Sequence, residues 1–285
     1  MSEVDNKLFN EIVGKLNDLL PLPVTIQKII DLTKDPHTEL HELVSVLERD
    51  QAMVSKLLRL ANSTYYGFSK QIKTISHAVV CLGYNNVKNL AFAASTSPLF
   101  KNSVISYALE KGALYKHSYA VAVCSRLIAK QTKYPNPEEV YLIGLLHDVG
   151  KMVLDQYAKE KFLDVIRLFK TGNLTFLQAE EQVLGFNHGE IGAKVAQMWN
   201  LSDELIESVK YHHHPQNASA GNLAVHMVHI ADVVVEMMGI GLGYDGLNYE
   251  LNASSTQLLK ISDSDIENLI VYTMDELKND ELMEN

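Results

Sequence analysis

The sequence predicts an all-α protein, because apolar residues recur at helical spacing along the chain and strand signals are absent. An amphipathic helix places apolar residues at positions i, i+3, i+4 and i+7. Long alternations of apolar and polar residues are missing, as are Asn-Gly hairpin turns, so we expect minimal β-structure. The first clear run of helical spacing consists of Leu40, Leu43, Val44 and Leu47.

Turn residues divide this pattern into separate helices. Asp35-Pro36 predicts a break, with Thr38 as the N-cap of the next helix. Gly83 predicts the end of a helix over Ile75–Leu82. A helix from Glu138 is expected to carry His147-Asp148 and to stop at Gly150. Later helices are predicted over Thr175–Leu184, Gly189–Trp199, Glu204–His212 and Ala224–Met238.

Composition and charge exclude several classes of protein. Two cysteines, Cys81 and Cys124, cannot form a disulfide framework, and both are expected to be inert buried thiols. The net charge of −10 is concentrated in residues 106–285, and no basic stripe suggests direct binding to nucleic acid. The longest apolar stretch, Val225–Leu242, is interrupted by charged and histidine residues, so no membrane span is expected. The chain start shows no secretory signal, which favours a reduced, cytoplasmic protein.

The chain is expected to divide near the Ser-, Thr- and Asn-rich stretch Ser95–Ser106. We predict a helical N-terminal subdomain over residues 1–105 and a helical bundle over residues 106–250. An acidic C-terminal helix and tail would follow over residues 251–285.

Histidine and aspartate residues recur in the second half of the chain, each in or at the end of a predicted helix. Imidazole nitrogens and carboxylate oxygens without thiolates suit one or two divalent ions of iron, manganese, zinc, nickel or magnesium. Helices can converge such side chains on the core of a bundle, and Asp148 could bridge two ions. The candidates are His117, His147, Asp148, His188, the tract His212-His213-His214 and Asp232.

A simpler interpretation needs no metal ion. Burying an unpaired carboxylate after the apolar run before His147 would be costly, but Lys151 could neutralise Asp148 alone. Histidines elsewhere are predicted to have structural or surface roles: His77, His226 and His229 as hydrogen-bonded core residues, and His37 and His41 at helix ends or in solvent.

Tyr141–Lys151, with the sequence YLIGLLHDVGK, resembles the signature of the HD superfamily of metal-dependent phosphohydrolases. Further segments are similar to the HDOD family, the HD-related output domain of bacterial signalling proteins. The similarity runs from about residue 15 to residue 240. The segments that carry it are Leu20–Pro23, Leu43–Asp50, Leu57–Ser63, Ile75–Gly83, Gly185–Gly192, Trp199–Leu201 and Tyr211–His213.

This resemblance implies an all-α HDOD fold, in which a helical N-terminal subdomain packs on an HD-like bundle. It also implies that the ligand pattern of the superfamily falls on His117, His147, Asp148, His188, His212 or His213, and Asp232. Many HDOD domains have lost such ligands, whereas this chain keeps a nearly complete set. The related HD-GYP phosphodiesterases have His-His-Glu and Gly-Tyr-Pro motifs where this chain has His212–Pro215, so hydrolysis of the HD-GYP type is not expected.

The leading hypothesis is a regulatory HDOD protein with a divalent metal site that acts through protein partners. Histidine kinases, response regulators or cyclic-nucleotide enzymes would be these partners, acting in trans. The alternative is a metal-dependent phosphohydrolase for a nucleotide or another phosphate ester. In that case Asp148 would help to hold the metal ions, and Lys151 would contact the phosphate or the developing charge.

Overall fold

A computed structural model describes residues 3–20, 22, 24–34, 40–246 and 250–278. These residues form helices joined by turns, with one isolated β-bridge between Val104 and Leu109 and no strand in the described ranges. The all-α prediction is confirmed. The predicted break at Asp35-Pro36, the Thr38 cap and His37 lie outside the described residues. None of the helices in the described part of the chain is both long and apolar enough to span a membrane.

The chain forms two compact units. The larger unit comprises Met1–Pro21 and Leu99–Thr273, and the smaller unit comprises Leu22–Pro98 and Met274–Asn285. The chain therefore passes from one unit to the other within the stretch Ser95–Ser106. The division into an N-terminal subdomain over residues 1–105, a bundle over residues 106–250 and a C-terminal helix and tail over residues 251–285 stays a prediction.

Helix α1 (Glu3–Leu19) lies in the larger unit, and the next five helices form the smaller unit. Two helices of the smaller unit begin after a polar N-cap residue. The Asp50 carboxylate accepts a hydrogen bond from the backbone N–H of Met53 at 3.0 Å, and the Thr74 hydroxyl accepts one from the backbone N–H of His77. The helices are α2 (Val24–Lys34), α3 (Leu40–Leu47), α4 (Gln51–Ala61), α5 (Ile75–Leu82) and α6 (Tyr84–Thr96).

Both cysteines are predicted to be buried, which is wrong for Cys81 and correct for Cys124. Helix α5 buries Ile75, Ala78 and Val79, so Cys81 lies on its solvent face. Cys124 is buried, and this burial raises the pKa of its thiol to about 12, which keeps the thiol protonated and unreactive.

The remaining helices build a bundle in the larger unit, to which α1 also contributes. Trp199 is buried, and its indole N–H donates to the Leu20 carbonyl at 3.0 Å, which ties the end of α1 to this bundle. The helices are α7 (Ala113–Gln131), α8 (Pro137–Leu146), α9 (Val149–Tyr157), α10 (Lys159–Phe169), α11 (Phe176–Leu184), α12 (His188–Met198), α13 (Asp203–Tyr211), α14 (Leu223–Met237) and α15 (Ala253–Leu259). The last helix, α16 (Asp263–Lys278), begins in the larger unit, and its residues from Met274 onward belong to the smaller unit.

One predicted helix is divided in the structure. The segment from Glu138 was expected to remain helical until Gly150, but α8 ends at Leu146 and α9 begins at Val149. Gly150 lies inside α9, where a Cβ atom would come within 1.9 Å of the His188 carbonyl oxygen. This glycine therefore permits close helix packing and does not end a helix. His147 and Asp148 occupy the turn between the two helices.

Candidate metal centre

The candidate ligands all belong to the larger unit and come from different parts of its bundle. His117 lies within α7, His147 and Asp148 form the turn between α8 and α9, and His188 is the first residue of α12. His212 and His213 directly follow α13, and Asp232 lies within α14.

Two glycines bring the backbone of the His147-Asp148 turn close to neighbouring helices. A Cβ atom on Gly144 would lie 2.7 Å from Ser125 Oγ and 2.8 Å from Ala122 Cα, both in α7. Gly150 makes the corresponding close approach to α12. The turn is therefore held between the helix that carries His117 and the helix that begins with His188.

The Asp148 carboxylate lies among four imidazoles. Its Oδ1 is 3.4 Å from His188 Nε2 and 3.8 Å from His212 Nε2. Its Oδ2 is 3.4 Å from His147 Nε2 and 3.8 Å from His117 Nε2. Each carboxylate oxygen thus faces its own pair of imidazole nitrogens, an arrangement in which one carboxylate could serve two neighbouring ions.

Asp232 provides a second carboxylate beside the first. Its Oδ1 lies 3.0 Å from His117 Nε2 and 3.6 Å from His147 Nε2, and its Oδ2 lies 3.8 Å from His213 Nδ1. Three sets have potential ligand atoms within 4.8 Å of one another: Asp148 with His188, His212 and His213; His117 with His147 and Asp148; and His147 with His212 and Asp232. Both His212 and His213 therefore remain candidates, while His214 belongs to none of these sets.

Four of the imidazoles have their Nδ1 atoms bound to oxygen acceptors. His147 Nδ1–H donates to the Gly144 carbonyl and His212 Nδ1–H to the Val209 carbonyl, both at 2.7 Å. His117 Nδ1–H donates to the Ile240 carbonyl at 3.2 Å, and His188 Nδ1 lies 2.8 Å from a Glu180 oxygen. Because Nδ1 is the donor, a neutral His147 or His212 ring presents the lone pair of Nε2, as metal-binding histidines do. His117 Nε2 instead lies within hydrogen-bond distance of Asp232 Oδ1, at 3.0 Å, and donates to it in this arrangement.

Several buried polar atoms here have no hydrogen-bond partner. His147 Nε2, His212 Nε2 and Asp148 Oδ1 are in this state, although buried polar atoms in folded proteins are nearly always paired. Lys151 satisfies only the other oxygen of Asp148, with Nζ 2.6 Å from Oδ2. The simpler interpretation, in which Lys151 alone neutralises Asp148, leaves these three atoms without a partner, whereas each of them belongs to a residue in at least one candidate ligand set and could bind a divalent cation there.

A model of the HDOD domain matches residues 19–215, which is more than half of the chain. The protein belongs to the HDOD family. The chain is also 26% identical over 213 residues to an uncharacterized protein of Treponema pallidum, and this match covers 74% of the chain but only 41% of that relative.

Solved structures also resemble this HDOD protein. An HDOD domain protein with unknown function from Geobacter sulfurreducens is 28% identical, with a TM-score of 0.71 and coverage of 96% of this chain and 89% of the other. A candidate phosphohydrolase from Shewanella amazonensis is 21% identical, with a TM-score of 0.67 and 93% of each chain covered. A candidate signal transduction protein from Marinobacter aquaeolei is 20% identical, with a TM-score of 0.70 and coverage of 99% and 66%. The last two likenesses show the shared fold.

Electrostatic interactions in the HDOD protein favour a mixture of charged carboxylates and neutral imidazoles. Burial raises the pKa of Asp148, but His147 and Lys151 outweigh it and hold the value well below its usual range. Burial, together with His147 and His188, holds the pKa of His212 well below its usual range, so this ring is neutral. Ionised carboxylates and neutral imidazoles are the protonation states that bind metal ions.

His147 is an exception among these rings. Burial lowers its pKa, but the carboxylates of Asp148 and Asp232 outweigh this and raise the value above its usual level. A divalent cation beside the same carboxylates would compete with the proton on His147 Nε2.

Glu180 lies next to the candidate ligands and is not among the residues predicted from the sequence. Glu180 is fully buried in α11 and accepts hydrogen bonds from the Tyr107 hydroxyl and from the backbone N–H of His188. One sequence signal could have revealed it, since Glu180 falls between the buried residues Phe176 and Leu184 at helical spacing. A charged residue on an apolar helix face needs a buried partner.

Replacing Glu180 with Gln should weaken metal binding by about 10- to 100-fold. Glutamine can still accept a hydrogen bond from His188 Nδ1, but it lacks the charge that makes this imidazole a stronger ligand. Equilibrium dialysis against zinc or manganese would measure the change. Glu160→Gln, an exposed substitution in α10, is the matched control and should leave the affinity unchanged. Equal affinity in both variants would show that Glu180 does not act through His188.

Proposed function

We propose that this HDOD protein is a regulatory component of bacterial signal transduction that carries a divalent metal centre and acts through protein partners. The cluster of unsatisfied atoms on His147, Asp148 and His212 is the observation that supports the metal centre. The ligands would be His117, His147, Asp148 and Asp232 on one side, and Asp148 with His188, His212 and His213 on the other. One or two ions fit this set, and a cytoplasmic location is part of the proposal.

The regulatory role is supported by family membership and by the sequence around the candidate centre. This chain has a third histidine and a proline, His214-Pro215, after the histidine pair, where an HD-GYP phosphodiesterase has an acidic residue. Histidine kinases, response regulators and cyclic-nucleotide enzymes are the partners we propose. We place the docking surface on the smaller unit, which has exposed apolar side chains such as Val24 and Val80.

The alternative function is hydrolysis of a nucleotide or another phosphate ester, and the nearly complete ligand set favours it. A bound divalent ion would polarise the phosphate and activate water. Lys151 would supply a positive charge to the phosphate oxygens. Burial lowers the pKa of this ammonium, but Asp148 and Asp245 outweigh burial and raise it above the usual value, so the charge persists across the physiological pH range.

The metal content of the purified protein tests the proposed function. We expect a stoichiometric amount of divalent metal by plasma mass spectrometry. A protein without bound metal that also fails to bind added manganese, zinc or iron would overturn the metal centre and the phosphohydrolase. If metal is present, turnover of nucleotides, cyclic nucleotides or simple phosphate esters would favour the enzyme, and inactivity on all of them would favour regulation.

The docking surface has a separate test. Binding to purified histidine kinases and response regulators would be compared between the full chain and the double variant Val24→Glu, Val80→Glu. Both side chains are more than two-thirds exposed, so the variant should fold and keep its metal. We expect it to lose partner binding, and unchanged binding would place the docking surface elsewhere.

A further inference from the structure

The ammonium of Lys151 is buried between two carboxylates from different parts of the chain. Its Nζ lies 2.6 Å from Asp148 Oδ2 and 2.5 Å from Asp245 Oδ2. It also lies 5.5 Å from the centre of the Tyr107 ring. Lys151 is 5% exposed and Asp245 is 4% exposed. Among the described residues, two carboxylates and an aromatic ring therefore surround this ammonium.

Asp245 belongs to a glycine-rich loop, residues 239–246, that packs against the candidate metal centre. The Ile240 carbonyl accepts the hydrogen bond from His117 Nδ1. A Cβ atom on Gly241 would lie 2.6 Å from the Ala113 carbonyl oxygen in α7, so only glycine allows this approach. The backbone N–H of Tyr244 donates to the Tyr107 carbonyl at 2.9 Å. These contacts bring the next residue, Asp245, to Lys151.

The two carboxylates on Lys151 differ in their other contacts. Asp148 is shared with the imidazoles and belongs to two of the three candidate ligand sets, whereas Asp245 belongs to none of them. Metal binding would engage Asp148 and leave Asp245 as the principal partner of Lys151. A carboxylate oxygen at this distance makes the same charge-assisted contact with an ammonium as a phosphate oxygen does.

Excess negative charge near Asp245 also opposes an incoming anion. Glu236 lies one helical turn beyond Asp232, and burial, Asp232 and Asp245 raise its pKa to about 9. Burial is the largest of these causes, and the two carboxylates add to it. The Asp245 carboxylate itself would repel a phosphate group that approached Lys151, and removal of its charge would relieve this repulsion.

We propose that Asp245 occupies the anion position of this site, so that a phosphate group binds to Lys151 by displacing the Asp245 carboxylate. The ligand class is inorganic phosphate or the phosphate group of an ester. The loop of residues 239–246 is then an autoinhibitory element, which a phosphate-bearing ligand opens. This inference rests on the metal centre of the proposed function, because the metal would free Lys151 from Asp148.

Calorimetric titration of the metal-loaded full chain with inorganic phosphate, and separately with phenyl phosphate, tests the proposal. Asp245→Asn has nearly the same shape but no charge, and we expect it to bind phosphate at least about ten-fold more tightly than the wild type. Adding Lys151→Met to this variant should abolish the gain. Asp164→Asn, an exposed substitution in α10, controls for the change in net charge. Phosphate affinity that is unchanged or weaker in Asp245→Asn would overturn the proposal.

A second measurement uses the wild type and does not depend on whether a variant folds. Saturating phosphate should accelerate hydrogen exchange at the Tyr244 amide. Displacement of Asp245 would weaken the hydrogen bond that the neighbouring Tyr244 N–H donates to the Tyr107 carbonyl. Unchanged or slower exchange at this amide in the phosphate-bound wild type would contradict displacement of Asp245. So would the absence of phosphate binding at millimolar concentration in both the wild type and Asp245→Asn. Metal content is measured on the same samples. Loss of metal binding would therefore disprove the proposed centre, whereas a normal metal content with equal phosphate affinities would disprove only the role of Asp245.

Discussion

Replacement of Asp148 by Asn should reduce metal affinity by at least about 100-fold, the largest functional effect that we expect from a single substitution. Asp148 belongs to two of the three candidate ligand sets, and its two oxygens face different imidazole pairs. Asparagine keeps the shape of the side chain but loses the charge and one acceptor atom. Equilibrium dialysis against zinc or manganese, followed by plasma mass spectrometry, would measure the loss.

The control for this experiment is Asp164→Asn, because Asp164 is exposed and forms only a local ion pair with Arg167. The control should bind as much metal as the wild type. Circular dichroism would establish that both variants are folded. Retention of full metal affinity by folded Asp148→Asn would refute a centre built around this carboxylate.

Replacement of Gly150 by Ala should have the largest effect on stability, a loss of about 3–5 kcal/mol in the free energy of unfolding. The added methyl group would lie 1.9 Å from the His188 carbonyl oxygen and 2.8 Å from the Gly192 nitrogen. Both atoms are backbone atoms of α12, so the clash can be relieved only by separating α9 from α12. Because α12 begins with His188, metal affinity should fall as well. Urea unfolding followed by circular dichroism measures the change in stability.

A glycine on an open helix face provides the comparison. Gly14 lies in α1, and a Cβ atom there would have no neighbour within 4 Å. Gly14→Ala should stabilise the protein by up to about 1 kcal/mol, because alanine has the higher helix propensity. Equal changes in the free energy of unfolding for Gly14→Ala and Gly150→Ala would contradict the close packing of α9 against α12.

Helical periodicity predicted much of the fold, because burial on one helix face is a local property of the sequence. The predicted helix Thr175–Leu184 begins one residue before α11 and ends at the same residue, and the predicted helix Ala224–Met238 is displaced from α14 by one residue at each end. The turn at His147-Asp148 was missed. A glycine that ends a helix and one that allows two helices to touch look the same in a sequence, and only the position of His188 distinguishes them.

Helical spacing indicates that Glu180 is buried, but the sequence could not reveal which residues Glu180 and Asp245 contact in the fold. Glu180 precedes His188 by eight residues and Asp245 follows Lys151 by 94, yet both carboxylates reach into the same region of the larger unit. Neither belongs to a motif with recognisable spacing. Their positions depend on how α11 and the loop after α14 pack, which is a property of the tertiary structure. The membership of residues 1–21 in the larger unit is equally non-local.

The complete burial of three imidazoles has a kinetic consequence. The side chains of His147, His188 and His212 are each 0% exposed, so an ion among them has no direct contact with bulk solvent through these rings. Entry and escape should therefore require transient opening of the surrounding bundle. We expect chelators to strip the ion slowly, at a rate that is independent of chelator concentration and rises steeply with temperature.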